Sequence, residues 1–315
     1  MSTPTLDRSA RTATPGDTFA TTAADRFADA EASRRGSAGL GDRARRLLRA
    51  LPLDAILAAV WLLLVVVGAV LPQLIAAGDP LAGVPREKLQ GPSAAHLFGT
   101  DQLGRDLFTR VVHGTGLTLR SAVLAIGIGL ASGAVLGLVA GYVGRWVDDV
   151  VMRVTDVLLA IPSLLLSLAL ITALGFGTTN VAIAVGLASA AGIARVLRAE
   201  VVKVRTSTYV EAAVVAGNHP LRVLLRHVLP NSTGPVIALA TLELGTAVLA
   251  ISSLSFLGYG AVPPTPEWGS LVSTGRDYLQ GAWWLTTLPG LVIALTVLAA
   301  NRLARAVDAE GRRTR

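Results

Sequence analysis

Few residues in this chain of 315 could carry out chemistry. There is no cysteine, which excludes disulfides, thiol chemistry and cysteine-ligated metals. No nucleophile or acid–base set of the kind that an enzyme needs can be assembled from the four histidines, which are His96, His113, His219 and His227. His96 and His113 have no carboxylate cluster near them in sequence, so we expect no metal site. We therefore expect no catalytic residue.

The strongest candidate for a functional side chain is Glu243, in the apolar run "ATLELGTAV". It lies near the middle of that run and has no charged neighbour in sequence. Exposure of this carboxylate to lipid would cost ~2.5–3.5 kcal/mol. We expect it to line a water-filled path and to attract a cationic group such as a peptide amino terminus. Neutral packing against another helix is the alternative.

A second group of charges, Asp148, Asp149, Arg153 and Asp156, lies near the start of another apolar run. Arg153 and Asp156 are three residues apart, which places them on one face of a helix. This spacing predicts a structural ion pair between them.

The stretch "YVEAAVVAGNHPLRVLLRHVLPN" (209–231) is a charged segment between two apolar runs. Gly217 is expected to bend the chain, Asn218 to cap a second helix and Pro220 to occupy its first turn, while Pro230 is expected to end it. The predicted apolar side of this second helix consists of Leu221, Leu224, Leu225 and Val228. Two amphipathic helices of this kind could lie on lipid headgroups or dock into a cytoplasmic partner, and periodicity does not distinguish these possibilities.

Composition indicates an all-α, polytopic membrane protein. The chain is 52% hydrophobic and 16% charged, against about 25% charged in soluble domains. Runs of ~20 apolar residues are long enough to cross a ~30 Å hydrocarbon layer. We predict six spans: Asp54–Ala77, Leu117–Val143, Val150–Leu174, Asn180–Leu197, Thr233–Leu254 and Trp284–Leu303.

The distribution of lysine and arginine predicts the orientation of these spans. With the N-terminus inside, 22 of the 28 basic residues fall on the cytoplasmic side and six on the other. Both termini and the segment 209–231 are therefore expected to be cytoplasmic. Residues 1–50 are expected to form a disordered tail, residues 51–305 the membrane domain, and residues 306–315 a short basic tail.

Two further patterns predict how two helices pack and where one span meets the membrane interface. Gly129, Gly133, Gly137 and Gly141 recur at steps of four, which predicts a stripe where a second helix can approach closely. Trp283 and Trp284 are expected to lie in an aromatic belt at the outer membrane interface.

Five separated stretches resemble, in the same order, the permeases of bacterial ABC importers of the dipeptide, oligopeptide and nickel branch. They are "HLFGTDQLGRDLFTRVVHG" (96–114), "DDVVMRVTDVLLAIPSLLLSLAL" (148–170), the segment 209–231, "LSFLGYGAVPPTPEWGSLVSTGRDYL" (254–279) and "AWWLTTLPGLVIALTVLAANRLA" (282–304). In the third stretch, "EAA", Gly217 and the closing "LP" are spaced as in the EAA loop of that family. The general pattern has an apolar residue where His227 stands, but "RHVLPN" is similar to the version in peptide and nickel permeases.

The resemblance implies a type I importer permease of six transmembrane helices, with coupling helices in the loop 206–231. Carried over position by position, it implies that the coupling residues are Glu211, Ala212, Ala213, Gly217, Leu229 and Pro230. The implied partners are a second, usually different permease chain, two ABC ATPase subunits, an extracytoplasmic substrate-binding protein and membrane lipid, with no nucleic acid. ATP and Mg are expected at the ATPase subunits and no cofactor on this chain, which lacks a GxxxxGK(S/T) loop.

The expected function is to form half of a path for dipeptides or oligopeptides across the bacterial cytoplasmic membrane. Import of nickel, a metal chelate or an opine-like solute by the same machinery is an alternative. A secondary transporter driven by an ion gradient is another, although it would require inverted repeats and ion ligands near the membrane midplane.

Overall fold

The computed structural model describes the backbone of residues 53–313 and the side chains of residues 53–236 and 239–306. The predicted N-terminal tail, residues 1–50, lies outside the described residues. Within the described part the chain is helical, and the remaining ladder pairings are two isolated β-bridges. The last helix continues through residues 306–313, which had been expected to form a tail.

We number the α-helices in chain order. They are α1 (Leu53–Val70), α2 (Pro72–Ile75), α3 (Leu107–Val143), α4 (Arg145–Ala160), α5 (Ser163–Leu174), α6 (Thr178–Arg205), α7 (Thr208–Val215), α8 (Pro220–Val223), α9 (Leu229–Ser232), α10 (Gly234–Phe256), α11 (Trp268–Gly275) and α12 (Trp284–Arg313). A π-helical turn, Leu224–Val228, joins α8 to α9, and 3₁₀ turns occur at Pro85–Glu87 and Arg276–Tyr278.

Five of these helices, α1, α3, α6, α10 and α12, are long and apolar enough to cross a membrane. The third predicted span, Val150–Leu174, is not one straight helix: α4 and α5 meet at an angle of 99°. The break follows from Pro162, since proline lacks an N–H and its ring disfavours the helical conformation for the residue before it. Ile161 is accordingly extended, with φ −90° and ψ 129°.

Helix α6 is the centre of the bundle. In its most apolar stretch 61% of the residues are buried, against 22–39% in the other four long helices. It packs along α3, and the predicted glycine stripe forms the contact. A Cβ atom added at Gly133 would lie 2.7 Å from the Ala190 carbonyl oxygen, and one at Gly137 would lie 2.6 Å from that of Ala194. The two backbones therefore touch, as the sequence predicts.

Trp284 is a core residue, which corrects its predicted place in an interfacial belt. It is only 7% exposed, and its indole Nε1 donates to the Thr100 carbonyl at 3.2 Å. The sequence places two tryptophans side by side, but the turn before α12 directs one inward and leaves Trp283 51% exposed. Trp284 thereby holds the loop 76–106 against the end of the bundle.

Buried charges organise that loop. The Asp101 carboxylate accepts from the backbone N–H groups of Leu103 (2.8 Å) and Arg105 (3.0 Å). It also lies 2.6 Å from the Arg105 Nε and 3.6 Å from the Arg110 Nε. All three charged side chains are nearly buried, and burial of a charge is tolerated when it is paired and hydrogen-bonded.

A second buried carboxylate, Glu267, lies in the polar loop 257–283 and caps α11. It accepts from the backbone N–H groups of Gly269 (3.1 Å) and Ser270 (3.0 Å) and from the Thr118 hydroxyl (3.1 Å) on α3. Burial raises the pKa of Glu267 above its ordinary value, and the bonds from Gly269 and Ser270 oppose that shift. The cap therefore fixes α11 to the start of the α3 span.

The contact between α3 and α6 predicts unequal effects of the same substitution at two glycines of α3. Gly133→Ala should destabilise the protein by about 1–3 kcal/mol, because the added methyl overlaps the α6 backbone. Gly127→Ala, at an exposed position where nothing lies within 4 Å, is the matched control and should be neutral or slightly stabilising. Thermal unfolding in detergent measures both, and equal melting temperatures would contradict the close approach.

Candidate coupling segment and translocation cavity

The segment 206–232 begins with α7. The turn that ends α7 is built around Gly217. This glycine has φ +78°, a conformation that costs other residues energy. The Gly217 N–H donates to the Val214 carbonyl at 2.9 Å, and the Asn218 N–H donates to that of Ala213 at 3.3 Å. These two bonds form a Schellman motif, which closes the helix and reverses the chain. The bend thus lies at the predicted glycine.

The cap of the following helix is His219, and not Asn218 as predicted. The His219 Nδ1 accepts from the Leu221 N–H at 3.3 Å, while Pro220 takes the first helical position as expected. Asn218 turns the other way, and its Nδ2 donates to the Ala213 carbonyl at 2.9 Å. Its side chain therefore closes α7 instead of opening α8.

The apolar side predicted for the second helix is confirmed at two of its four positions. Val228 is buried and Leu224 is partly buried in the cluster against α6, whereas Leu221 and Leu225 are more than half exposed. Val223, five residues before Val228, is buried as well. In the π turn at Leu224–Val228 the backbone bonds span five residues instead of four, so residues five apart share a face.

Pro230 does not end the helix, which is a further correction. It occupies the first turn of α9, and α9 runs on to Ser232. The preceding π turn provides the wider backbone path, with the Leu229 N–H bonded to the Leu224 carbonyl. A π turn adjacent to a proline accommodates both the ring and the missing N–H.

One face of the segment is attached to the bundle by an apolar cluster. Val210, Val223 and Val228 pack with Leu197 and Val201 of α6. All five side chains are at most 2% exposed. The segment is therefore packed onto the C-terminal half of α6 as an extension of the core.

Two polar contacts attach the same segment region to the end of α3, and the sequence analysis missed both. The Tyr142 hydroxyl donates to the Pro220 carbonyl at 2.6 Å. Arg205, at the end of α6, donates from Nη1 to the carbonyls of Tyr142 (2.7 Å) and Gly141 (3.2 Å). A cation at the C-terminal carbonyls of a helix is favoured by the helix dipole. No local signal links Tyr142 to a residue 78 positions away.

The opposite face is open. Glu211, Ala212, Gly217 and Pro230 are exposed, whereas Ala213 and Leu229 are partly buried. Four large apolar side chains also project from the segment, with exposed fractions of 57% (Val214), 87% (Val215), 56% (Leu221) and 55% (Leu225). Large apolar side chains left exposed in this way are typical of a surface that another molecule covers.

The predicted Arg153–Asp156 ion pair is replaced by pairs between helices. Asp156 bonds to Arg195 of α6 at 2.5 Å. Asp148 forms a two-pronged contact with Arg198, with Nε–Oδ1 at 3.0 Å and Nη2–Oδ2 at 2.5 Å. The planar guanidinium of Arg198 matches both oxygens of the Asp148 carboxylate. These contacts fasten α4 to α6.

Glu243 lines a cavity of about 290 Å³ between α3, the α4–α5 break, α6 and α10. Its carboxylate accepts from the Thr246 hydroxyl at 2.8 Å. Ser163, Ser167 and Ser189 add hydroxyl groups to walls that are otherwise apolar. No basic side chain pairs with Glu243 within the described residues. The cavity thus holds a carboxylate without a counter-ion.

His96, in the loop 76–106, and His113, near the start of α3, are held in separate hydrogen bonds. The fold brings two carboxylates to His96: the Asp106 Oδ2 lies 2.9 Å from Nδ1 and the Glu87 Oε2 lies 3.5 Å from Nε2. The fold thus gives His96 two carboxylate neighbours that lie nine and ten residues away in the sequence. His113 lies 3.0 Å from the Ala76 carbonyl. Within the described residues, no three histidine, aspartate or glutamate side chains are grouped as the ligands of a metal ion would be.

Residues 133–313 match the profile of the family described as the binding-protein-dependent transport system inner membrane component. The chain belongs to this family. It is a permease and a multi-pass membrane protein.

Relatives of this permease cover most of its length. It is 43% identical over 219 residues to the dipeptide transport system permease protein DppC of Alkalihalophilus pseudofirmus, covering 70% of this chain and 72% of that one. It is 41% identical to a putative peptide transport system permease of Brucella suis, with 82% and 86% covered. The glutathione transport system permease protein GsiD of Escherichia coli is 41% identical, with 79% and 82% covered.

Solved structures give the same fold. A chain of the MetNI methionine ABC transporter in an inward-facing conformation superposes with a TM-score of 0.50 at 18% identity, covering 63% of this permease and 96% of that chain. A chain of an amino acid ABC transporter superposes with a TM-score of 0.50 at 15% identity, with 64% and 94% covered. The permease therefore has the fold of type I ABC importers.

The attachment of the segment to α3 predicts that Tyr142→Phe loosens it. Loss of the bond to Pro220 removes about 0.5–1.5 kcal/mol of local stability, so amide hydrogen exchange in residues 216–228 should quicken by about two- to tenfold. Tyr209→Phe, a change to a 47% exposed tyrosine of α7, is the matched control and should leave exchange unchanged. Equal exchange in the two variants would show that the Tyr142 hydroxyl does not hold the segment.

Proposed function

We propose that this permease forms half of the transport path of an ATP-driven peptide importer and that residues 206–232 couple it to a separate ATPase. The observation that carries the proposal is the two-sided segment: one face is packed into the α6 core, and the other presents an exposed apolar and acidic surface. The names of relatives support the cargo, since they describe dipeptide, peptide and glutathione transport.

The packing supplies a mechanical route from the segment to the cavity. The segment is fixed to α6 by buried valines and to α3 by the Tyr142 bond. The glycine contact joins α3 to α6, and α6 forms a wall of the cavity that contains Glu243. Motion of a partner bound to the exposed face would therefore displace the cavity walls together, with no catalytic residue involved.

The proposed coupling residues are Glu211, Ala212, Ala213, Gly217, Leu229 and Pro230. Glu211 and Ala212 present a small, acidic surface that a partner cleft can approach closely. Gly217 fixes the chain reversal between the two short helices, and Pro230 is exposed in the first turn of α9. Half-buried Ala213 and Leu229 would act by holding that surface in place.

The proposed partners are those that the family implies. Two ATPase subunits, which hold ATP and Mg, would bind the cytoplasmic segments of this permease and of a second, different permease chain. A substrate-binding protein would deliver cargo to the loops 76–106 and 257–283. The membrane is the bacterial cytoplasmic membrane, with both termini inside, as the bias in basic residues supports.

Glu243 is the proposed cargo contact. An unpaired carboxylate in a small cavity, supported by the Thr246 hydroxyl, suits the protonated amino group at one end of a peptide. The surrounding serines offer hydrogen bonds that do not depend on the cargo's side chains. Such a contact would bind weakly and broadly, as a path that must release its cargo requires.

A cysteine crosslink tests the coupling role, because the chain has no cysteine of its own. Ala216→Cys places a thiol on the exposed face beside Gly217. In the assembly purified gently from its host, this thiol should crosslink to a co-purifying ATPase, and the yield should change when ATP is added.

The control for this crosslink is Trp146→Cys, which replaces a residue 72% exposed at the start of α4, outside the segment. It should give little or no crosslink. Absence of an ATPase crosslink from Ala216→Cys, with protection of its thiol by lipid, would mean that the segment is a surface-lying helix pair.

The Glu243→Gln variant tests the cargo contact. Loss of a charge-assisted hydrogen bond, worth about 1.5–3 kcal/mol, should lower kcat/KM for dipeptide uptake by about tenfold or more. Dipeptides with a blocked amino terminus should be affected less. Glu200→Gln, at a glutamate of α6 that pairs with Lys203 away from the cavity, should leave uptake unchanged. Unchanged uptake and cargo preference in Glu243→Gln would remove Glu243 from the path.

A further inference from the structure

A groove runs along the outside of the bundle between α1 and α12 and has a volume of about 520 Å³. Its apolar walls are formed mainly by Leu57, Val60, Leu64, Leu295 and Leu298. Leu57, Leu64 and Leu298 are 61%, 52% and 62% exposed, so no described part of the chain covers the groove. Both helices are candidates for membrane spans, and the groove therefore opens toward lipid.

The length of the groove matches one leaflet of a bilayer. Its lining extends from Asp54 to Leu64 on α1 and from Leu295 to Arg305 on α12. Ten residues of helix at ~1.5 Å per residue span ~15 Å, which is half of a ~30 Å hydrocarbon layer. The groove thus leads from one headgroup level to about the middle of the membrane, as a single acyl chain does.

The deep part of the groove has no polar group to offer a ligand. The Trp61 Nε1 donates to the Thr296 hydroxyl at 3.1 Å. That hydroxyl donates in turn to the Val292 carbonyl at 2.7 Å. Because these polar atoms are satisfied within the protein, the surface that remains suits a hydrocarbon chain better than a polar solute.

The shallow end of the groove carries positive charge. Arg302 hydrogen-bonds to Asp54, so these two charges offset each other. Arg305 is exposed and donates from Nε to the Asn301 carbonyl at 3.2 Å. Among the side chains that the structure describes, no carboxylate pairs with Arg305. Basic residues beside the end of a span attract anionic lipid.

We propose that this groove binds one anionic phospholipid of the phosphatidylglycerol type. One acyl chain lies between α1 and α12, and the phosphate contacts the guanidinium groups of Arg305 and Arg302. A zwitterionic lipid fits the apolar walls equally well, so selection comes from the charged end. One basic group near the surface favours the anionic lipid by about fivefold. The site is separate from the Glu243 cavity and does not depend on the proposed transport function.

Fluorescence quenching by lipids brominated on the acyl chain tests the proposal, because Trp61 lines the groove. The assembly with its partner subunits is placed in phosphatidylcholine vesicles that contain brominated phosphatidylglycerol or brominated phosphatidylcholine. The difference between wild type and Trp61→Phe gives the signal of Trp61. Brominated phosphatidylglycerol should reach half-maximal quenching at about fivefold lower mole fraction than brominated phosphatidylcholine.

Two charge variants separate this site from general attraction to the membrane. In Arg305→Gln, brominated phosphatidylglycerol and brominated phosphatidylcholine should reach half-maximal quenching at nearly the same mole fraction. Lys203→Gln removes one positive charge from a 77% exposed side chain on α6, away from the groove, and should leave the fivefold preference intact. An equal loss in both variants would mean that only net charge matters, and the proposal would fail.

Native mass spectrometry provides a measurement that does not depend on Trp61. The wild-type assembly in mild detergent should retain bound phosphatidylglycerol, and Arg305→Gln should retain less. Equal quenching by the two lipids would show a groove without headgroup selection. No Trp61 quenching by either lipid would show that another subunit covers the groove. Each of these results overturns the proposal.

Discussion

The approach of α3 to α6 depends on four positions without a side chain. Between membrane helices there is little hydrophobic driving force, because lipid tails are as apolar as leucine, so close van der Waals contact must hold them together. Glycine at every fourth residue of α3 allows the α6 backbone to reach contact distance. The cavity walls, the α4 ion pairs and the docking of the segment 206–232 all depend on α6, which that contact positions.

The arrangement of charges differs between the regions that flank this helix pair. Four charged side chains at one end of the pair are nearly buried: Asp101, Arg105, Arg110 and Glu267. Their backbone and side-chain partners lie in the polar loops 76–106 and 257–283 and at the start of α3. Arg195 and Arg198 are more exposed and join α6 to the carboxylates of α4. Paired buried charges fix one geometry, because separating them leaves an uncompensated charge at high cost. The exposed pairs between α4 and α6 are weaker, and they can break and re-form at lower cost.

The sequence predicted what is governed by local or periodic signals. Apolar length predicted five of the six spans, glycine at steps of four predicted the α3–α6 contact, and Gly217 marked the reversal. It failed where the backbone departs from the regular period, as at the π turn Leu224–Val228, where Leu225 lies at the surface. It also failed where partners come from distant positions: Asp156 with Arg195, Tyr142 with Pro220, and Trp284 with Thr100. A single sequence contains no signal for such pairings. The coupling residues came from resemblance, and their role stays a prediction.

The caps of the segment 206–232 have a thermodynamic consequence. The Schellman motif at Gly217, the His219 cap and the buried valines fold this segment without help from a partner. A segment that becomes ordered only on binding loses part of its interaction free energy to chain entropy, often several kcal/mol. A segment that is already ordered avoids that loss, so a small contact surface can give useful affinity. In the proposed coupling role, an ordered segment would also transmit force without first folding, so the contact with a partner would be stiff as well as tight.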